Sequence, residues 1–127
     1  MRPVLDSSVV LAVLLNEPGA DAIDPALLAE GHLSAVNLSE IVAKLVERDA
    51  TEAQVAGVLA QFVPRTHAFD ASQAVAAGRL RRDTKPKGLS LGDRACLALA
   101  AALGAPAVTT DRAWAGVDVG VAVEVVR

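Results

Sequence analysis

Pro3-Val4-Leu5-Asp6-Ser7-Ser8-Val9-Val10-Leu11-Ala12-Val13-Leu14-Leu15 changes character at Asp6. Before it, Val4-Leu5 is an apolar run without alternation, the mark of a strand buried on both faces. Asp6-Ser7-Ser8 are residue types that open helices. Val9 to Leu15 then reads as a helix, which Asn16-Glu17-Pro18-Gly19 breaks. The acid stands where the strand gives way to the helix.

The same change recurs along the chain. A second helix is expected over about 20–29, then a short strand near His32 to Ala35. Asn37-Leu38-Ser39-Glu40 opens a helix through about Arg48, with Ile41, Val42, Leu45 and Val46 at core spacing. Thr51-Glu52 starts a helix to Phe62. Val63 to Phe69 is a strand candidate that Pro64 pushes to an edge or a late start. Asp70-Ala71-Ser72 caps a helix ending in Arg79-Leu80-Arg81-Arg82, and residues 83–88 form a loop. Ser90 starts an Ala-rich helix that Gly104 and Pro106 end. Ala107-Val108-Thr109 and Val119 to Val126 complete the strands. Alternating strands and helices indicate an α/β fold with a parallel sheet covered on both faces.

A chain of 127 residues suits one domain, 1–127, with one core. The only aromatics are Phe62, Phe69 and Trp114, so the core is packed aliphatics. The single cysteine, Cys96, excludes an internal disulfide and a cysteine zinc cage. It reads as a small buried hydrophobe. A disulfide-free chain fits a reducing, cytoplasmic setting. Val9 to Leu15 is too short to span a membrane and has no basic lead-in of a signal peptide. A formal charge of −3 means that any nucleic acid must be held by a local basic patch or a bound cation.

In parallel sheets, ligand sites lie beyond the carboxyl ends of the strands. Asp6 follows Val4-Leu5 there, and Asp111 follows Ala107-Val108-Thr109-Thr110. Glu40 and Asp93 are expected in the first turns of their helices, which start at the same sheet edge. Each acid has a structural explanation. Asp6 is a natural N-cap, Asn37-x-x-Glu40 and Ser90-x-x-Asp93 resemble capping boxes, and Asp111 suits a turn. As a set they repel one another unless something positive sits among them. Arg94 and Arg112 are adjacent in sequence, but successive helix residues point about 100° apart. A hard divalent ion, Mg²⁺ or Mn²⁺, matches oxygen-only ligands better. The expected ligands are Asp6, Asp93 and Asp111, with Glu40 acting through water or on a second ion. The hydroxyls of Ser8, Thr109 and Thr110 are expected to support the carboxylates or bound waters.

These segments resemble the PIN-domain family, in particular VapC toxins. Val4-Leu5-Asp6-Ser7-Ser8-Val9 is similar to the family's opening strand and first acid. Asn37-Leu38-Ser39-Glu40-Ile41 resembles the segment of the second, and Leu89-Ser90-Leu91-Gly92-Asp93-Arg94 that of the third. Val108-Thr109-Thr110-Asp111-Arg112-Ala113-Trp114 resembles the segment of the fourth. The order holds from Pro3 to the C-terminus. The resemblance implies a three-layer α/β/α domain with a central, mainly parallel sheet. It also implies Mg²⁺- or Mn²⁺-dependent endoribonuclease activity with catalytic Asp6, Glu40, Asp93 and Asp111, a homodimer, and an inhibitory VapB-type antitoxin. A further acid found near the fourth in some members has only Asp118 as a counterpart.

Arg79, Arg81, Arg82, Lys85 and Lys87 form the densest basic run, either a solvated helix end or a rim that draws RNA toward the acids. His32 and His67 are far from the acids in sequence. Trp114 reads as a packing anchor. Two other functions compete with an RNA-cleaving toxin. One is a non-catalytic PIN-like module that binds RNA or protein. The other is a phosphoacceptor receiver domain, which needs an acidic doublet after the first strand and a late lysine. Asp6 stands alone, and no lysine follows Lys87.

Overall fold

The computed structural model describes residues 2–127. Strand β1 (Val4–Leu5) pairs in parallel with β4 (Ala107–Thr109), and β4 in parallel with β5 (Val123–Val125). On the other side, β2 (Leu33–Ser34) pairs in parallel with β3 (Thr66–His67). The two ladders meet at a parallel bridge between Val4 and His32. The resulting order is β3-β2-β1-β4-β5.

Successive residues of a strand face opposite sides of its sheet, and β1 shows why both faces must be apolar. Leu5 and Val108 join a cluster with Val9, Ile41 and Phe62. Val4 and Ala107 join one with Cys96, Leu97 and Trp114 on the other face. The first cluster is capped by helices α1 (Ser7–Leu14), α2 (Pro25–Glu30), α3 (Ala35–Glu47) and α4 (Glu52–Phe62). The second lies under α7 (Leu91–Leu103), against which α5 (Ala71–Arg79) packs. A four-residue helix α6 (Arg81–Thr84) leads from α5 toward α7. This is the expected three-layer α/β/α arrangement. Trp114 is fully buried in the second cluster, as an anchor should be.

Some boundaries differ from the sequence reading. The helix expected over 20–29 is a 3-10 turn, Ala20–Ala22, followed by α2. Pro25 fixes α2's first residue, and Ile23 and Asp24 ahead of it are extended. Val63–Arg65 is a 3-10 turn around Pro64, so β3 begins only at Thr66. The helix expected to run to Arg82 ends at Arg79 and restarts as α6; Lys85–Lys87 then form a 3-10 turn rather than open loop. The last strand shrinks to Val123–Val125, because Gly120 takes φ 77° at the near end of the valine run. Gly104 ends α7 at φ 63°, as expected.

Helix α3 carries the correction that matters for function. It begins at Ala35, and Ser34 is its cap, with Ser34 Oγ accepting from Val36 N at 3.2 Å. Asn37-x-x-Glu40 is therefore not a capping box, and Glu40 lies in the second turn.

Candidate active site

Asp6 occupies the N-cap position of α1, but its side chain makes no capping bond. Its Oδ2 instead accepts from Ser8 Oγ at 2.6 Å and from Thr109 Oγ1 at 2.9 Å. The parallel register explains the second contact: Leu5 pairs with Val108, so the next residues, Asp6 and Thr109, emerge together. Asp6 is only 3 % exposed. Burial raises its carboxyl most strongly. The Ser8 bond pulls it down, the Asp93 charge raises it, the Thr109 bond lowers it and the Glu40 charge raises it, leaving it pushed from 3.8 to about 6. A buried carboxylate so displaced, with two other acids near enough to act on it, marks Asp6 as a candidate functional residue.

Glu40 is held by residues of two helices. Its Oε1 accepts from Ser7 Oγ on α1 and from Asn37 Nδ2 one turn back on α3, both at 3.0 Å. Asn37 Nδ2 also donates to the carbonyl of Gly92 at 3.1 Å, which ties α3 to the first turn of α7. Gly92 has no side chain for a reason visible here. A Cβ on it would stand 2.4 Å from both carboxylate oxygens of Glu40. Asn37 is fully buried, and its Oδ1 has no partner among the described residues. Ser7, Asn37 and Gly92 are the residues the sequence reading missed. The spacing of Asn37 and Glu40 is the i, i+3 spacing of neighbours on one helix face as well as that of a capping box, and only the former applies.

Asp93 and Asp111 keep structural duties. Asp93 Oδ2 accepts from Ser90 N at 2.8 Å, and Asp93 N donates to Ser90 Oγ at 3.3 Å, completing a capping box on α7. Asp111 Oδ1 accepts from Ala113 N at 2.9 Å and caps the 3-10 turn Arg112–Trp114. Each cap uses one carboxylate oxygen and leaves the second. Asp111 is joined to Asp6 through the hydroxyls between them. Thr109 Oγ1 accepts from Asp111 N at 3.1 Å, and Ser8 Oγ accepts from Thr110 N at 3.1 Å. The hydroxyls of Ser8 and Thr109 thus bond the carboxylate of Asp6, whereas Thr110 contributes its backbone N–H rather than its hydroxyl. Replacing Ser90 by alanine should cost about 1 kcal/mol in denaturant unfolding, the usual worth of an N-cap.

Among the described residues, no arginine forms an ion pair with these acids. Arg94 Nη1 donates to the carbonyl of Ala77 on α5 at 3.1 Å, away from Asp93. Among the described residues, the ion pairs are Lys44–Glu47 and Arg127–Glu17, and neither involves the four acids. Nor do three acids, histidines or cysteines stand close enough together to cage a metal ion among those residues. The side chains are instead turned to the hydroxyls, Asn37 and the helix caps. Cys96 lies buried within reach of the fields of Asp6, Asp93 and Glu40; burial first, then those charges, push its thiol well up, so it packs rather than reacts.

All five residues of the basic run are exposed, and two of them also bond backbone carbonyls. Lys87 Nζ donates to the Ala115 carbonyl at 3.0 Å, and Arg81 Nη1 to the Leu89 carbonyl at 3.5 Å. These bonds fasten the run beside the turn that follows Asp111 and the entry to α7. His32 and His67 pair with each other, Nδ1 to Nε2 at 3.0 Å, and not with the acids.

A family model described as "PIN domain" matches residues 4–120. The chain belongs to the PIN-domain family. No curated protein matches this PIN domain. Solved structures do. One is VapBC-5 of a toxin–antitoxin system from Mycobacterium tuberculosis, 27% identical over 98% of this chain and 97% of that one, with a TM-score of 0.61. Another is DNA-bound VapBC from Salmonella typhimurium, 19% identical over 98% and 97%, TM-score 0.74. A third is VapBC2 from Rickettsia felis with a promoter DNA fragment, 21% identical over 98% of both chains, TM-score 0.72. The PIN domain described here has the fold of these proteins over nearly its whole length. No helix among the described residues is long and apolar enough to cross a membrane.

Proposed function

We propose that this PIN domain is the toxin of a type II toxin–antitoxin pair, a Mg²⁺-dependent endoribonuclease whose catalytic carboxylates are Asp6, Glu40, Asp93 and Asp111. The observation that carries the reading is Asp6. It is a buried acid at a helix cap that does not cap, pushed to about 6, with Asp93 and Glu40 adding to its burden and no cation among the described residues paired with it.

The donor chemistry suits a hard divalent ion, which would have to draw the acids together from the bonds they now make. The donors are all oxygen, Asp93 and Asp111 each keep one carboxylate oxygen outside their caps, and the orphaned Asn37 Oδ1 is an acceptor suited to an ordered water. Asp6, Asp93 and Asp111 would hold the ion, with Glu40 fixed beside them by Ser7 and Asn37. Bound there, Mg²⁺ or Mn²⁺ supplies charge for the scissile phosphate and an acidified water. The chain's own part is positioning. Ser8 and Thr109 fix one oxygen of Asp6, and Asn37 fixes Glu40, so the carboxylates do not reorganise as the phosphate arrives. Arg79, Arg81, Arg82, Lys85 and Lys87 form the rim that draws the RNA in.

A VapB-type antitoxin as partner is supported by the VapBC complexes that share the fold. We place the protein in the cytosol as a homodimer. The deciding experiment maps cleavage ends in total cellular RNA, with and without Mg²⁺, for the wild type and for Asp6→Ala/Asp93→Ala. Metal-dependent cuts lost in a folded double variant support the enzyme. Full cutting by that variant removes the site. A folded protein that binds RNA but never cuts it leaves the non-catalytic module, which the capping bonds of Asp93 and Asp111 favour. For the rim, Arg81→Ala/Arg82→Ala should weaken binding of single-stranded RNA and lower the slope of log affinity against log salt by about 1 to 1.5. An unchanged slope removes the rim.

A further inference from the structure

A cleft of about 560 Å³ opens between the start of α3 and the start of α7. That size lies within the roughly 300–1,000 Å³ of small-ligand clefts. Its walls are unlike the rest of the acidic centre. Val36 on α3, Phe69 in the segment after β3, and Leu91 at the first position of α7 supply apolar surface. Ser39 and Ser90 supply hydroxyls, and Glu40 closes one end. Two of these residues leave apolar surface uncovered there. Leu91 is 50 % exposed. Phe69 is the one aromatic ring of the chain that is not fully buried, since Phe62 and Trp114 are at 0 %. An aromatic ring and an exposed leucine facing one cleft form a wall for a flat apolar face.

We propose that this cleft seats one unpaired nucleobase of the RNA, next to the phosphate being cut. The inference rests on the nuclease reading above. The cleft is continuous with the catalytic centre because Glu40 belongs to both. The first turn of α7 also joins the two regions, because it carries Asp93 beside Leu91 and Gly92. The chemistry of the walls selects the base rather than the backbone. A phosphate beside Glu40 meets like charge, whereas a neutral base stacks on Phe69 against Leu91 and Val36. Its edge then meets Ser39, Ser90 and the carboxylate of Glu40, which accepts from an exocyclic amine. A paired base has that edge occupied and its faces stacked, so the occupant is a single-stranded nucleotide. Phe69 and Leu91 are specificity residues and touch no reacting bond.

The test compares short unpaired RNA oligonucleotides with counterparts that lack one base, moved position by position along the strand. Binding is read by fluorescence anisotropy in EDTA, and cleavage is read separately with Mg²⁺. The wild type should bind strands lacking the base at one position on the order of ten-fold more weakly. Phe69→Ala and Leu91→Ser should erase that difference while leaving cleavage of the strand lacking the base at the wild-type rate. Phe69→Trp should preserve the difference and shows that loss in the alanine variant is not misfolding. Equal affinity for complete and base-lacking strands at every position overturns the subsite, as does a preference that survives both substitutions. The binding arm stands whether or not RNA is cut. Failure of the nuclease reading instead appears as no cleavage that depends on Asp6.

Discussion

Asp6→Asn should melt several degrees higher than the wild type at pH 7 without added metal, and should cut RNA at least on the order of a hundred-fold more slowly. The stability gain follows from the direction of the shift. In the unfolded chain, Asp6 gives up its proton near 3.8; in the fold it does so near 6. Between those values the folded protein holds a proton that the unfolded one has released. The stabilising contribution is therefore fully present below pH 4 and is lost as pH rises through 6. Above pH 6 the buried charge costs the fold about 2–3 kcal/mol. Asparagine keeps the shape, and its carbonyl oxygen still accepts from Ser8 and Thr109, so only the charge is removed. Thermal melts from pH 4 to pH 8 should show the wild type losing stability across pH 4–6 relative to the variant. A variant of equal or lower stability at pH 7 would mean that Asp6 carries no stored electrostatic strain. Adding Mg²⁺ should raise the melting temperature of the wild type and not that of the variant, because the variant lacks one of the proposed ligands. A site built for function at the expense of the fold behaves this way.

The position of Asp6 was legible in the sequence, and the reason is local. Val4-Leu5 with nothing polar between them demands a strand covered on both faces, and an acid at the next position has to emerge at the sheet edge. Ala107-Val108-Thr109 repeats the pattern, and a parallel sheet then sets Asp6 beside Thr109 by register alone. What the sequence concealed was the join between β2 and α3. Ser34 ends the strand and caps the helix at once, so no turn residue marks the boundary, and Asn37-x-x-Glu40 imitates a helix start. Placed one turn deeper, the same pair becomes a buried amide holding a carboxylate. Side-chain direction was equally hidden. Whether Asp93 and Asp111 turn to a cap or to the cleft differs by a rotation about one or two bonds, to which spacing is blind. Proline shows both cases. Pro64 announced a late start for β3, whereas Pro25 sits inside the segment read as one helix over 20–29 and restarts it as α2.

Gly92→Ala should lower cleavage by about ten- to a hundred-fold while changing stability little, and the second half of that expectation makes the first informative. Alanine is intrinsically the better helix residue by about 1 kcal/mol. In the first turn of α7 the exchange should then be favourable, but the new Cβ would lie 2.4 Å from both oxygens of Glu40. The carboxylate is the end of a flexible side chain, so it swings away and the backbone stays. In doing so it abandons Ser7 and Asn37, two bonds to a charged acceptor that offset the helix gain. The fold survives, and the carboxylate is no longer held where the proposed chemistry needs it. Loss of such a supporting contact typically costs an active centre about ten- to a hundred-fold. A double-mutant cycle with Glu40→Ala separates the causes. With the carboxylate gone, Gly92→Ala should become stabilising by up to about 1 kcal/mol and should reduce activity no further. If it stays neutral or destabilising in the Glu40→Ala background, the glycine serves the approach of α3 to α7 rather than the seat of Glu40.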